Sequence, residues 1–145
     1  MMIYVCHQFG GNDSNRKAVE NKIRVLYQEY GYYMAKFGMA LFSPIHATGY
    51  LYTDLPYEDG MKLCVAMLAK CDAMLVFGDD SCSTGCMIEK AYCKSHDISI
   101  IEVEEFIAIL EYIKRNVFDE NGKDEFGAFY HKHRSFIEAL ILYTS

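Results

Sequence analysis

Short apolar segments alternate along this chain with longer segments whose apolar residues recur every three or four positions. An uninterrupted apolar run bounded by turn residues is typical of a strand buried on both faces, whereas the longer spacing is typical of a helix. The short segments predict strands at residues 2–6, 39–42, 73–77 and 98–103. Because strands that alternate with helices form parallel sheets, we predict an α/β fold. We expect a three-layer, flavodoxin-like or Rossmann-like sheet of about four to five strands in the order 2-1-3-4.

Helices are predicted after each strand, and their starts are marked by capping or acidic residues: Asp13 or Ser14, Tyr57, Ser83 or Thr84, and Glu104. A last helix is predicted over residues 126–143, with an apolar stripe wider than a short sheet needs. We therefore expect a homo-oligomer that uses the helices between Glu104 and Tyr143 as its interface. The chain divides into an α/β core, residues 1–103, and a C-terminal helical extension, residues 104–145, packed on the core or on a partner subunit.

Composition narrows the class of partner. A net charge of −6 argues against a nucleic-acid polymer, because phosphate contacts need clustered Lys and Arg. No apolar run approaches the roughly 18 residues of a membrane span. The N-terminus has Tyr4 and Cys6 where a signal peptide needs a basic patch and a long apolar segment. We expect a cytoplasmic protein with a small-molecule partner and no membrane partner.

The six cysteines lie inside predicted strands and helices, which does not favour a disulfide framework. Four of them have the pattern of small buried hydrophobes: Cys6, Cys64, Cys71 and Cys93. The other two, Cys82 and Cys86, form a lone C-x-x-x-C, which is weak evidence for zinc without a second pair. We therefore expect neither a metal nor a cofactor.

The stretch from residue 71 to residue 89 carries the strongest candidate chemistry. A buried strand ends at Gly78, and Asp79 follows in the turn before a helix capped by Ser83 or Thr84. The apolar face of this helix is predicted to be Met87, Ile88, Ala91 and Tyr92. Glu89 lies one turn inside it, with Gly85 on the same side, where a ligand can reach the carboxylate. Ligands of α/β sheets bind at such strand-to-helix crossings. The alternative is a solvated helix glutamate.

Two further loops are candidates for binding. The first strand ends in His7, Gln8 and Phe9 before Gly10 and Gly11, and paired glycines allow close backbone approach to a phosphate. An ordinary flexible turn is the alternative. Residues 45–57 form a long loop, which is often functional in a compact domain. Its polar and aromatic side chains suit the stacking of a flat ring, the alternative being a lid packed on the surface: His46, Tyr50, Tyr52, Asp54 and Tyr57.

These motifs resemble the nucleoside 2-deoxyribosyltransferase superfamily, which includes the 2′-deoxynucleoside 5′-monophosphate N-hydrolases. The resemblance lies in the first strand with its Phe9-Gly10-Gly11 loop and in residues 83–91. The segment 42–47, Asp59 with the two residues after it, and Cys71-Asp72 are more similar to a phage and bacterial branch of the superfamily. The resemblance covers roughly residues 3–103.

The resemblance implies roles for individual residues. Glu89 matches the nucleophile that attacks the anomeric carbon, and Tyr4 matches a tyrosine close to that glutamate. Ser83 matches a phosphate-contacting serine, and Gly10 and Gly11 match the glycines of the hydrolases' first loop. The chain departs from the pattern at two positions: Phe9 replaces an arginine, and Cys64 replaces the second carboxylate. Asp59 or Asp54 would then take the place of that carboxylate.

The residues agree with this chemistry on their own terms, because N-glycosidic cleavage needs a carboxylate for the cationic sugar and an acid for the leaving base. Glu89 and one of Asp54, Asp59 or Asp79 form such a pair. We expect cleavage or transfer of the N-glycosidic bond of a (deoxy)nucleotide or nucleoside. The alternatives are a protein that binds or sequesters a nucleotide without cleaving it, and a structural subunit of a larger assembly.

Overall fold

Two central strands organise the part of the chain that the computed structural model describes, residues 1–77 and 83–115. Strand β1 (Met2–Cys6) pairs with β3 (Ala73–Val76), and both are almost fully buried. Strand β2 (Ala40–Phe42) pairs with the outer side of β1, and β4 (Ser99–Glu102) with the outer side of β3. All pairs are parallel, in the order β2-β1-β3-β4. The predicted α/β class and strand order are confirmed, with strand ends within one residue of the prediction.

The side chains of β1 and β3 alternate between two separate apolar cores, one on each face of the sheet. Helices α1 (Asp13–Lys36) and α5 (Val103–Arg115) cover the face that carries Ile3, Val5, Ala73 and Leu75. Helices α3 (Tyr57–Leu68) and α4 (Thr84–Ser95) cover the opposite face, which carries Tyr4, Cys6, Met74 and Val76. The described chain therefore has the three layers that the pattern predicted.

Helix α5 belongs to the first of these cores. Its inner face is buried against α1 and the sheet through Phe106, Ile109, Leu110 and Ile113. The helix starts at Val103, one residue before the predicted start at Glu104. The apolar face of α5 is thus used within the chain itself. The predicted helix over residues 126–143, and the subunit interface expected there, lie outside the described residues.

Two predictions about local structure are wrong, one about a helix cap and one about a loop. Helix α1 is capped by Asn12, whose side-chain oxygen accepts a hydrogen bond from the Ser14 amide at 2.8 Å, and not by Asp13 or Ser14. The segment 45–57 is not a continuous loop, because it contains helix α2 (Pro44–Thr48) and a 3₁₀ turn (Gly49–Leu51). Pro44 occupies the first turn of α2, where its fixed φ favours a helix start and its missing N–H costs nothing.

Helix α1 is the longest helix in the described ranges, with 24 residues. Its solvent side carries ion pairs one turn apart, among them Arg16 with Asp13 at 2.7 Å and Arg24 with Glu20 at 3.0 Å. Within residues 1–77 and 83–115, no helix has both the length and the apolar character that crossing a membrane requires.

Candidate functional site

A cavity of about 470 Å³ opens at the carboxyl end of β1, a size in the range of small-molecule sites. The residues that follow β1, the α2 segment with its 3₁₀ turn, helix α3 and the start of α4 form its walls. Parallel strands end at the same edge of a sheet, so the connections that follow them meet there. The cavity therefore lies where the sequence predicted a ligand.

Glu89 of α4 lies in the wall of this cavity and is only 6% exposed. The hydroxyl of Tyr4, itself fully buried on β1, donates a hydrogen bond of 2.6 Å to Glu89 Oε1. Tyr4 points towards α4 because it lies on the face of β1 that packs against that helix. The carboxylate is therefore held in one position beside the cavity, and it is not a solvated helix glutamate.

The orientation of α4 differs from the predicted one. The residues that face the sheet are Cys86, Glu89 and Cys93, whereas Met87 and Ile88 are 59% and 39% exposed. The predicted apolar face of this helix is therefore wrong at Met87, Ile88 and Ala91, which are exposed, and right at Tyr92, which packs against the second core. Hydrophobic spacing favoured the larger side chains, but the tyrosine hydroxyl on the facing strand provides a partner for Glu89, and cysteine is small enough to pack closely on either side.

Burial controls the protonation of this pair. It raises the pKa of Glu89, while hydrogen bonds from Tyr4 and Cys6 favour the ionised form and partly offset that rise. The pKa of Tyr4 is raised far above its ordinary value, first by burial and then by the neighbouring Glu89 charge. Tyr4 is therefore a permanent hydrogen-bond donor, and its hydroxyl stabilises the Glu89 carboxylate.

Three thiols lie around the Tyr4–Glu89 pair. The sequence alone predicts Cys6 and Cys64 as small buried hydrophobes, Cys64 also as the replacement of a second carboxylate, and Cys86 only as a weak zinc candidate with Cys82. Cys6 follows Tyr4 by two residues on the same face of β1, and Cys86 precedes Glu89 by about one helical turn. Cys64 of α3 lines the cavity near Tyr4, and burial raises the pKa of its thiol. The spacings of Cys6 from Tyr4 and of Cys86 from Glu89 were the available signals, since residues two apart in a strand and three apart in a helix share a side.

The start of α4 and the turn after β1 form the polar end of the cavity. Ser83 caps α4 as predicted, and its hydroxyl accepts a hydrogen bond of 3.3 Å from the Cys86 amide. Gly85 also lines the cavity, and a Cβ there would lie 3.5 Å from the Tyr57 hydroxyl. Unpaired amides and the positive end of a helix dipole favour an anion at such a position.

Aromatic rings also line the cavity. Phe9 and Tyr52 meet edge to face, with ring centroids 5.4 Å apart, and Tyr57 lies nearby in the same lining. Gly11 packs beneath Tyr52, so closely that a Cβ on Gly11 would lie 2.6 Å from the ring. The turn that makes this approach possible has φ of +60° at Gly10 and +70° at Gly11, and it is closed by a 3.0 Å bond from the Asn12 amide to the Phe9 carbonyl.

His7 lines the cavity in a fixed environment. Its Nδ1 lies 2.7 Å from the Gln8 carbonyl, and its Nε2 lies 3.0 Å from Lys22 Nζ. Burial, together with the Lys22 charge, lowers the pKa of His7 despite its bond to Gln8. A neutral ring that donates through Nδ1 to Gln8 and accepts at Nε2 from Lys22 satisfies both contacts.

Several predicted site residues do not line the described cavity: Asp54, Asp59, His46, Tyr50, Gly11 and Tyr4, the last of which lies behind Glu89. Asp54 and Asp59 are exposed, and Asp59 pairs with Lys62 at 3.2 Å. His46 hydrogen-bonds with Ser43 at 2.8 Å and lies 3.7 Å from a Glu20 carboxylate oxygen. Asp79 lies outside the described residues. Among the described residues that line the cavity, Glu89 is the single carboxylate.

Comparison with known proteins gives one match. Residues 1–102 match the model of a family described as "Domain of unknown function (DUF4406)". No curated protein and no solved structure matches the chain. The matched residues include β1 to β4, so they contain the sheet and the whole described cavity.

Proposed function

The chain belongs to the DUF4406 family, and we propose that it cleaves or transfers the N-glycosidic bond of a nucleotide or nucleoside, with Glu89 as the nucleophile. The observation that carries this proposal is the contact between Tyr4 and Glu89. A buried carboxylate, held by a 2.6 Å hydrogen bond, adjoins a cavity of about 470 Å³. Burying a charge is costly unless a function or a partner compensates for it, and perturbed carboxylates in clefts are common in active sites.

The chemistry needs an ionised carboxylate next to the sugar. As the base departs, positive charge develops at the anomeric carbon, and Glu89 attacks that carbon to form a glycosyl ester. Water, or the base of a second nucleoside, then attacks the same carbon and releases Glu89, as in retaining glycosidases. Tyr4 keeps the carboxylate ionised and oriented throughout, and the low exposure of Glu89 limits the screening of its charge by water.

The other walls suit the rest of such a ligand. Phe9, Tyr52 and Tyr57 offer ring faces and edges on which a flat base can stack. Ser83 and the first amides of α4 lie at the polar end together with Gly10, and this end suits a 5′-phosphate. Glu89 lines the same cavity, and the sugar would lie against it.

One observation favours a second candidate function, binding of a nucleotide without cleavage. A leaving base needs a proton, yet the described cavity lining holds Glu89 as its single carboxylate, and Cys64 lies beside Tyr4. A thiol whose pKa is raised by burial stays protonated, but it is a weak acid for a purine or pyrimidine leaving group. Base release decides between the two functions.

The test is release of free base from a panel of nucleosides and 5′-monophosphates, measured by chromatography for wild type, Glu89→Gln and Tyr4→Phe. Loss of the charge in Glu89→Gln removes the nucleophile, so release is expected to fall by at least about 10²-fold. Tyr4→Phe keeps the carboxylate and is expected to be milder, about tenfold. Glu104→Gln, an exposed carboxylate outside the cavity, is the matched control and is expected to match wild type.

Circular dichroism of each variant separates loss of chemistry from loss of fold. Equal release by wild type and Glu89→Gln would rule out Glu89 as the nucleophile. Binding of nucleotides by wild type with no base released from any of them would leave the binding function in its place.

A further inference from the structure

Cys6, Cys86 and Glu89 bring three ligating groups to one point in the interior. The two sulfur atoms and a Glu89 carboxylate oxygen all lie within 4.8 Å of one another. Cys6 is fully buried, and Cys86 and Glu89 are 3% and 6% exposed. Buried cysteines usually pack against apolar side chains, so two thiols converging on a carboxylate need a separate explanation.

The geometry is close to that of a metal site. Zinc binds sulfur at about 2.3 Å and carboxylate oxygen at about 2.0–2.2 Å, so tetrahedral ligand atoms lie roughly 3.5–3.8 Å apart. Separations within 4.8 Å need side-chain adjustments of about 1 Å or less to reach it. The ligands also sit on regular elements, Cys6 at the end of β1 and Cys86 and Glu89 one turn apart on α4, so their backbone positions are held in place.

We propose that Cys6, Cys86 and Glu89 bind a thiophilic divalent metal ion of the zinc class, with the fourth coordination position open to the cavity. Cys86 and Glu89 line that cavity, and the open position is therefore on the ligand side. Three protein ligands with one exchangeable position is the arrangement of reactive zinc sites, whereas purely structural sites are closed by four.

Tyr4 is the outer partner of this site. Its hydroxyl donates to Glu89 Oε1 at 2.6 Å, and carboxylate ligands of metals are commonly oriented by such hydrogen bonds. Binding converts two thiols into thiolates and releases two protons to solvent, so two sulfur–metal bonds form as two S–H bonds break. The ion's two positive charges then offset two of the three negative charges that the ligands carry.

A consequence follows for the reaction, and it rests on the proposed function. Glu89 bonded to a metal ion is no longer available to attack the sugar, so zinc is expected to inhibit base release. Metal binding itself is independent of that reaction and is measured without any nucleotide.

The experiment uses the full chain, reduced and kept free of oxygen, titrated with Co²⁺ alone. Thiolate-to-cobalt charge transfer gives a near-ultraviolet absorption band that carboxylate or imidazole ligands do not produce. One Co²⁺ per chain, with a band that Zn²⁺ abolishes, is expected for wild type. Cys6→Ser and Cys86→Ser are each expected to weaken binding by at least about tenfold and to reduce the band. Glu89→Gln keeps the band and binds more weakly.

Cys71→Ser is the matched control, because Cys71 is also buried but precedes β3 at the other end of the sheet, and it is expected to bind as wild type does. A wild-type chain without a charge-transfer band overturns the proposal, and so does a band that survives unchanged in both Cys6→Ser and Cys86→Ser. Cobalt binding without base release from any nucleotide would refute the proposed function and leave the metal site standing. Base release without cobalt binding would refute the metal site and leave the proposed function standing.

Discussion

The turn after β1 shows how single residues shape the cavity. Gly10 and Gly11 both have positive φ, a conformation that costs a residue with a Cβ roughly 1–2 kcal/mol. The two positions differ in their surroundings. A Cβ on Gly10 would meet no atom within 4 Å, whereas a Cβ on Gly11 would lie 2.6 Å from the Tyr52 ring. Gly11 thus does not line the cavity, but its close contact with Tyr52 determines the position of that ring in the cavity wall.

This contrast predicts different results for two alanine variants. Gly10→Ala is expected to lower the free energy of unfolding by about 1–2 kcal/mol, from backbone strain alone. Gly11→Ala carries the same strain and also displaces Tyr52, so it is expected to cost more and to weaken nucleotide binding. Urea unfolding and calorimetric titration with a nucleotide measure the two effects. Equal losses of stability in the two variants would show that the Tyr52 contact is unimportant.

Helix α4 carries two features of the proposed site within its first two turns. Its N-terminus, capped by Ser83, offers amides and the positive dipole end to the cavity, and Glu89 follows on the inner side. A phosphate at the N-terminus and a sugar at Glu89 would therefore be positioned by one rigid element. The spacing between them does not depend on how two loops happen to pack.

We accordingly predict that a nucleoside 5′-monophosphate binds at least about tenfold more tightly than its nucleoside, equivalent to about 1.4 kcal/mol. Ser83→Ala is expected to narrow this difference and to cost the helix about 1 kcal/mol through loss of its cap. Ser95→Ala, at the far end of α4, is the control. Calorimetry of both ligands with each variant measures the gap, and equal affinities of wild type for nucleoside and monophosphate would refute the phosphate role.

Helices α1 and α5 are joined on the other face of the sheet by polar contacts at the edge of their apolar interface. Tyr30 donates a 2.6 Å hydrogen bond to Glu111, and Lys114 pairs with Glu29 at 2.7 Å. The bond to Glu111, together with burial, raises the pKa of Tyr30 to about 12. An ionised Tyr30 would lose the proton that makes this bond.

The sign of the pH effect follows from that shift. The pKa of Tyr30 is higher in the folded chain than its ordinary value near 10. The contribution of its hydrogen bond to the free energy of unfolding is therefore complete below about pH 10 and is lost as the pH rises from 10 towards 12. At pH 8 Tyr30→Phe is expected to lower the free energy of unfolding by about 1 kcal/mol. The difference from wild type should shrink across that window in urea unfolding. Tyr32→Phe, 73% exposed, is the control, and a difference independent of pH would contradict the assignment.

At the scale of the whole molecule, the two faces of the sheet differ in the residues that they bury. The face covered by α1 and α5 is apolar and continuous, and its described residues contain no part of the Tyr4–Glu89 cluster. The face covered by α3 and α4 places a tyrosine, a glutamate and thiols among its apolar residues. The larger apolar core therefore lies on one face, and the buried carboxylate lies on the other.

Assembly remains a prediction that rests on the sequence of residues 126–143. Sedimentation of the full chain at micromolar concentration is expected to show a homo-oligomer, because the apolar stripe in this segment exceeds what the sheet needs. A charge in the stripe, Ile137→Glu, is expected to shift the chain towards monomer. Arg134→Glu, placed by the pattern outside the stripe, is expected to leave the oligomer intact. A monomeric wild-type chain in sedimentation would contradict this prediction.

Local pattern was sufficient for the four strands and for the helices α1, α3, α4 and α5. Apolar runs and helical spacing depend on neighbouring residues, and the strands and the Ser83 cap follow from them. The strand order follows from the fold class that alternating strands and helices indicate. Two local features were nevertheless assigned wrongly. Helix α2 starts at Pro44 where a loop was predicted, and Asn12 caps α1 through a bond from the Ser14 amide.

The site depended far more on tertiary contacts. The resemblance implied that Tyr4 is close to Glu89, and the two side chains are in contact although they are 85 residues apart. The hydrophobic pattern alone predicted most of the buried face of α4 wrongly, because the spacing of apolar residues carries no information about a hydrogen-bond partner on a neighbouring strand. It also favoured Asp54 and Asp59, since a sequence does not show which side of a helix or loop faces a cavity. The convergence of Cys6, Cys86 and Glu89 exists only once β1 packs against α4.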